Sequence, residues 1–215
     1  MKIGLIGAGF VGQAVLKELT DRGHQVTLLV RSPEKVKAPA GTTVKKVDAQ
    51  DASELEAAMQ GLEVVVSAYN AGWTNPDLYA DFLKGSRAIL TASKVAGVPR
   101  LLVVGGAGSL YIAPGQQLVD QPAFPAEYKA GASAARDFLQ ELRQEKGIQW
   151  TYFSPAIEMH PGTSGQRKGQ YRTGLEEPVF DAHQRSVLSV EDLAVALADE
   201  LEKPQFINQR FTAAY

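Results

Sequence analysis

The sequence predicts an α/β fold: a doubly wound, mostly parallel sheet with a small C-terminal lobe for substrate. Three observations lead there. Short, uniformly apolar runs alternate with longer stretches of helical periodicity, the pattern of strands joined by crossover helices. The chain opens on a strand, a glycine turn, a helix and a second strand, in that order. No repeat, low-complexity tract or linker divides the 215 residues, so 1–215 reads as one domain. With 45% hydrophobic and 21% charged residues the chain can bury a real core.

The first apolar run, Lys2 to Ile6, enters Gly7-Ala8-Gly9-Phe10-Val11-Gly12. Between a strand and a helix, G-x-G-x-x-G is a dinucleotide site rather than a chance match. Gly7 turns the chain off the strand, Gly9 keeps side-chain atoms away from a pyrophosphate, and Gly12 lets the helix pack close on the sheet. Phe10 and Val11 begin that helix, whose unpaired amides and positive dipole end face the phosphates. Apolar residues at Phe10, Val11, Ala14, Val15 and Leu19 keep helical spacing until Asp21-Arg22-Gly23-His24 stops it.

Val26 to Val30 is the next buried strand, and Arg31-Ser32 follow it. An acidic side chain at this place would bond an adenosine ribose. A cation and a hydroxyl suit a 2′-phosphate, so NADP(H) is preferred over NAD(H). The alternative is a solvated strand-end arginine.

Thr43 to Val47 is a strand ending at Asp48-Ala49, near which either the adenine amino group binds or Asp48 caps the turn. Ser53 is expected to cap a helix to Met59, with Glu56 completing a capping box. Glu63 to Ser67 is a fourth strand opening into Ala68-Tyr69-Asn70, small enough at its start to form a cofactor wall. Trp73 beyond it either stacks on a flat substrate or packs on its neighbours.

Asp77 to Ala96 is helical, and Arg100 to Val104 is a fifth strand running into Gly105-Gly106, again a place for cofactor backbone contact. Leu110 to Pro125 reads as irregular loop, Glu127 to Lys146 as helix, and Gln149 to Phe153 as a sixth strand closing on Ser154-Pro155. Residues 156–188 lose periodicity and form the expected lobe or lid. Its Arg167, Lys168, Arg172 and Arg185 either receive an anionic substrate or are solvated. Ser189 caps a last helix, and Ile207 to Thr212 is a final strand.

A formal charge of −2 gives no reason to expect nucleic acid. There are no cysteines, which removes thiol chemistry, and the three histidines lack metal-ligand spacing, so no metal is expected. With no basic n-region, cleavage site or long apolar span, a cytoplasmic monomer or homodimer without membrane contact is expected.

In this order the segments resemble the short-chain dehydrogenase/reductase superfamily. Those that carry the likeness are Gly7 to Gly12, Arg31 to Glu34, Val47 to Ala49, Ser67 to Tyr69, Val104 to Ser109, Pro125 to Lys129, Ser189 to Ala194 and Arg210 to Thr212. The nearest branch is the small atypical group of NADH-flavin reductases and NAD(P)H-binding, epimerase/dehydratase-like proteins. The resemblance implies an NAD(P)-binding Rossmann fold, with Pro155 and Lys129 beside the cofactor and Ser109 near the nicotinamide. Members usually carry G-x-x-G-x-x-G, one residue longer than the turn here.

The larger departure is chemical. The superfamily's Tyr-x-x-x-Lys pair donates a proton to a carbonyl. Counting back from Ser154-Pro155, Lys129 stands in the tyrosine's place and Ser133 in the lysine's, while Tyr128 has Ala132 four residues on. Without that acid, hydride delivery to a planar acceptor, a flavin or a quinone, is the expected reaction, with Ser109, Tyr128 and Lys129 as candidate catalytic residues. The alternatives are a catalytically silent NADP(H)-binding redox sensor and a sugar-nucleotide epimerase or dehydratase.

Overall fold

Apolar runs with no polar alternation form strands only where both faces of a sheet are covered, and this chain covers both. The computed structural model describes residues 1–215. In chain order the strands are β1 (Lys2–Ile6), β2 (Gln25–Val30), β3 (Thr43–Lys46), β4 (Val64–Ser67), β5 (Arg100–Val104), β6 (Tyr111–Ala113), β7 (Gln116–Gln117), β8 (Gln149–Ser154), β9 (Arg172–Gly174) and β10 (Gln209–Ala214). The helices are α1 (Phe10–Asp21), α2 (Ala52–Met59), α3 (Leu78–Val95), α4 (Ala126–Leu142) and α5 (Val190–Glu202).

Eight strands share one sheet in the order β3-β2-β1-β4-β5-β8-β10-β9, all parallel except β9, which runs antiparallel to β10 at the edge. This is the Rossmann order, with its direction of winding reversing between β1 and β4. Alternate residues of each strand feed opposite cores. Ile3, Leu5, Leu28, Val64, Val66 and Leu102 pack under α1 and α5. Ile6, Leu29, Val65, Leu101 and Val103 pack under α2, α3 and α4. Because the core strands are parallel, every turn that follows one of them emerges at the same edge.

Some boundaries differ from expectation. Helix α2 is capped by Asp51, not Ser53: the Asp51 carboxylate accepts from the amides of Ser53 (2.9 Å) and Glu54 (3.0 Å). Ser53 therefore lies inside the first turn, and Glu54 reaches back to the Asp48 amide instead of Glu56 closing a box. Helix α4 stops at Leu142 rather than Lys146, because Glu145 accepts from the amides of Lys146 and Gly147 and folds the chain into a turn. The expected loop 110–125 contains the small β6–β7 hairpin. The Ser189 cap on α5 is present, its hydroxyl accepting from the Asp192 amide at 3.1 Å.

The segment 156–188 is strapped to the body. Asp192 accepts from the amides of Lys168 (3.0 Å) and Gly169 (2.7 Å), and Tyr171 donates to Asp199. Its four cations are all engaged: Arg167 on Glu18, Lys168 over the Tyr215 ring, Arg172 on the Phe180 and Tyr215 carbonyls, and Arg185 on Glu158. They brace the fold and are not left free for an anion.

Glu18, on α1, is the buried end of this strap. The hydrogen bond from Arg167, helped by Arg22, holds its carboxyl below the ordinary glutamate range against the upward push of burial. A depressed carboxyl stabilises the fold above its unfolded pKa and ceases to do so as pH falls through the folded value. Glu18→Gln is therefore expected to be about 1–2 kcal/mol less stable at neutral pH. In denaturant titrations that gap shrinks below the ordinary glutamate pKa of about 4.3.

Candidate functional site

The glycines of the opening turn meet their steric requirements. Gly7 has φ +92°, and a Cβ there would lie 2.6 Å from the Ala68 carbonyl oxygen at the end of β4. A Cβ on Gly12 would lie 2.1 Å from the Gly7 carbonyl oxygen. Gly9 has nothing within 4 Å of where a Cβ would stand, so it borders open space. That space adjoins the start of α1, where the Gly9 N-cap offers no side chain, the first turn carries no acid, and the amides of Phe10, Val11 and Gly12 have no acceptor. Donors without acceptors beside a gap that a side chain would fill suit a pyrophosphate.

Along the same edge stand the other expected cofactor residues. Arg31 and Ser32 follow β2, Asp48 and Ala49 follow β3, and Ala68 to Asn70 follow β4. Gly105 and Gly106 follow β5, and Pro155 follows β8. Arg31 is exposed and differs from every other arginine in having no hydrogen bond or ion pair. Arg22, Arg87, Arg100, Arg136, Arg143, Arg167, Arg172, Arg185 and Arg210 all hold protein acceptors. Asp48 accepts from the Gln50 amide at 2.9 Å, so it does cap its turn.

Three positions have structural duties that the sequence does not announce. Tyr69 packs against α3: its hydroxyl donates to the Asp81 carbonyl at 3.0 Å, and a Cβ on Gly85 would strike its ring. Burial raises its pKa. Gly105 is glycine because the buried Tyr152 phenol passes beneath it; a Cβ would lie 1.8 Å from that oxygen, which donates to the Ala135 carbonyl at 2.8 Å. Gly106 is under no such constraint. Ser109 is buried in a 3-10 turn, its hydroxyl accepting from Arg210 at 3.1 Å. Arg210 is itself held by Glu176, whose carboxyl burial pushes up and whose bonds to Arg210 and Arg143 bring below its ordinary value.

Tyr128 and Lys129 lie in the first turn of α4, which is exposed throughout. Neither the Tyr128 hydroxyl nor the Lys129 ammonium has a partner among the hydrogen bonds and ion pairs of the fold. Trp73, from the loop after β4, meets Tyr128 edge to face, with ring centroids 5.4 Å apart at 83°. It lies so near α4 that a Cβ on Gly131 would come within 3.0 Å of the indole. Ala132, one turn beyond Lys129, is the contact of Gly108, which puts Lys129 on the helix face above the glycine-rich turn after β5. In the sequence Trp73 stands as a lone aromatic, because its partner Tyr128 belongs to a distant helix.

A cavity of about 520 Å³ borders the phosphate turn rather than the acceptor end, running from Phe10 along α1 to Lys37 and Glu191.

Fold and site together define a dinucleotide-binding α/β protein. The chain belongs to the NAD(P)H-binding family, whose sequence model matches residues 7–204. It is 40% identical to the YwnB protein of Bacillus subtilis over 99% of this chain and 97% of that one. A Bacteroides thetaiotaomicron structure named as a "putative epimerase" is 42% identical with a TM-score of 0.91, covering 100% of this chain and 96% of that one. A Streptococcus pneumoniae structure named as a "putative NADH-flavin reductase" is 35% identical with a TM-score of 0.86, covering 100% and 99%. No helix here is long and apolar enough to cross a membrane.

Proposed function

We propose that the protein is an NADPH-dependent reductase that passes hydride to a flavin, quinone or similar planar acceptor. One observation carries this reading: no acid is placed to protonate a carbonyl. Lys129 replaces the superfamily's tyrosine, Tyr128 has Ala132 where the pair's lysine would follow it, and the Ser109 hydroxyl is engaged by Arg210. An alkoxide forming from a carbonyl needs a placed donor. A delocalised ring does not, since its reduced form is far less basic. NADPH supplies the hydride when bound, and the acceptor takes it with one solvent proton to give NADP⁺ and the two-electron-reduced ring. The chain's own work is then to bind, to orient and to exclude water.

Within that division the turn Gly7 to Gly12 holds the pyrophosphate, and Gly106 and Pro155 flank the nicotinamide. Lys129 reaches a ribose hydroxyl or offsets charge on the acceptor, and Tyr128 lines the acceptor side. The name of the pneumococcal relative supports this class of reaction. The epimerase reading fits less well, since its usual proton shuttle is the same missing pair.

Arg31 supports NADPH over NADH. Arg31→Ala is expected to weaken NADPH binding about tenfold and leave NADH unchanged, the loss of one charge-assisted bond at an exposed site. Equal wild-type affinities in a titration would remove the preference. Protein-dependent oxidation of NADPH with FMN or a small quinone tests the reaction. Tight NADPH binding without turnover on any acceptor would leave a silent redox sensor instead.

A further inference from the structure

We propose that Trp73, Tyr128 and Lys129 form the acceptor subsite and select a planar aromatic ring that carries an anionic group. The inference rests on the reductase reading and adds what the acceptor must look like.

Trp73 and Tyr128 are the most exposed aromatic side chains, at 58% and 48%, ahead of Phe10, Tyr79 and Phe180. The two rings stand nearly perpendicular, so they make a corner. A flat ligand can stack on one ring while its edge meets the face or rim of the other. The corner is built from the loop after β4 and the start of α4, and both emerge at the sheet edge that carries the dinucleotide turn. A ring seated there lies along the same edge of the sheet as the cofactor turn.

Charge narrows the ligand further. Lys129 adjoins the corner, exposed and without a carboxylate partner, on the face of α4 above the glycine turn. Glu127 lies two residues back, on the opposite side of the helical turn. Most basic residues on the neighbouring faces of α3 and α4 are neutralised: Arg87 by Glu141, Lys94 by Glu145 and Arg136 by Asp120 and Asp137. A free cation next to an open aromatic corner matches an acceptor with a phosphate or carboxylate at its periphery.

FMN and riboflavin share one ring and differ by a phosphate, so they separate the two parts of the proposal. Equilibrium binding is followed by titration calorimetry, which needs no tryptophan reporter and so reads Trp73→Ala as well, and steady-state NADPH oxidation gives KM for each acceptor. Wild type is expected to bind FMN about three- to fivefold tighter than riboflavin, as an exposed charge pair allows. Lys129→Gln should erase that difference by weakening FMN alone. Trp73→Ala should weaken both flavins about tenfold, the scale of one lost stacking contact, and its NADPH affinity should hold. Turnover with equal FMN and riboflavin KM in wild type and Lys129→Gln would overturn the anionic selection. Turnover with flavin KM unmoved by Trp73→Ala would overturn the subsite. An absence of turnover with flavins and quinones alike would remove the reductase reading itself.

Discussion

Gly12→Ala is expected to cost the protein both stability and its dinucleotide. The added methyl would stand 2.1 Å from the Gly7 carbonyl oxygen and 2.9 Å from its carbon. These are backbone atoms that cannot rotate away. Relief requires α1 to move off the turn, which disturbs the packing of Val15, Leu16 and Leu19, all fully buried, against the sheet. Overpacking of this kind costs about 1–3 kcal/mol. The same movement displaces the free amides of Phe10 and Val11 from the phosphate position, so NADPH affinity should fall at least about tenfold, since each charge-assisted bond lost is worth more than 1 kcal/mol. Gly9→Ala is the informative contrast. It meets no atom of the protein, so it should keep stability and lose affinity only. Calorimetry in parallel with NADPH titration separates the two effects.

Glu200→Ala is expected to be strongly destabilising although it lies outside the site. Glu200 and Arg100 are a buried ion pair, their side chains 2% and 9% exposed. Arg100 also donates to the Glu200 carbonyl and to Thr151, at 3.0 Å each, and Glu200 accepts from the amides of Gln205 and Phe206. The carboxylate thus ties the start of β5, the middle of β8 and the turn after α5. Burial pushes the Arg100 guanidinium below its ordinary value, and the Glu200 charge opposes that push. Removing the carboxylate strands a buried cation, at about 3–5 kcal/mol. For a domain of this size that lowers Tm by roughly 6–20 °C. A double replacement of Arg100 and Glu200 by apolar residues should be milder than the single change, and thermal unfolding of both variants tests the point.

Where a residue's reason lies within a few positions, the sequence discloses it. Gly7 turns the chain and Gly12 packs on the Gly7 carbonyl, so that part of the pattern is readable, whereas the approach of Ala68 to Gly7 comes from a distant strand end. Arg31 is legible as a strand-end cation. That it alone among the arginines lacks an acceptor depends on carboxylates such as Glu18, Glu141, Glu158 and Glu176, which fold in from elsewhere. Gly105 reads as a cofactor glycine, yet its constraint is Tyr152 on the adjacent strand. The cations of 156–188 look available until Glu18 and Glu158 arrive beside them. The cap on α2 turns on a choice between near equals: Asp51 and Ser53 are both good caps, and it is the Asp51 carboxylate that accepts from the amides of Ser53 and Glu54. Trp73 and Tyr128 become a pair only because parallel strands return both loops to one edge.

Absorbance of the reduced nicotinamide is the most direct test of the central claim. Protein and NADPH are mixed anaerobically with FMN, with a small quinone, and with a panel of aldehydes and ketones. The account predicts saturable oxidation of NADPH by the planar acceptors and none above background by the carbonyls. Efficient reduction of a carbonyl would contradict it, since that chemistry would need a proton donor that Lys129, Ser109 and Tyr128 do not form.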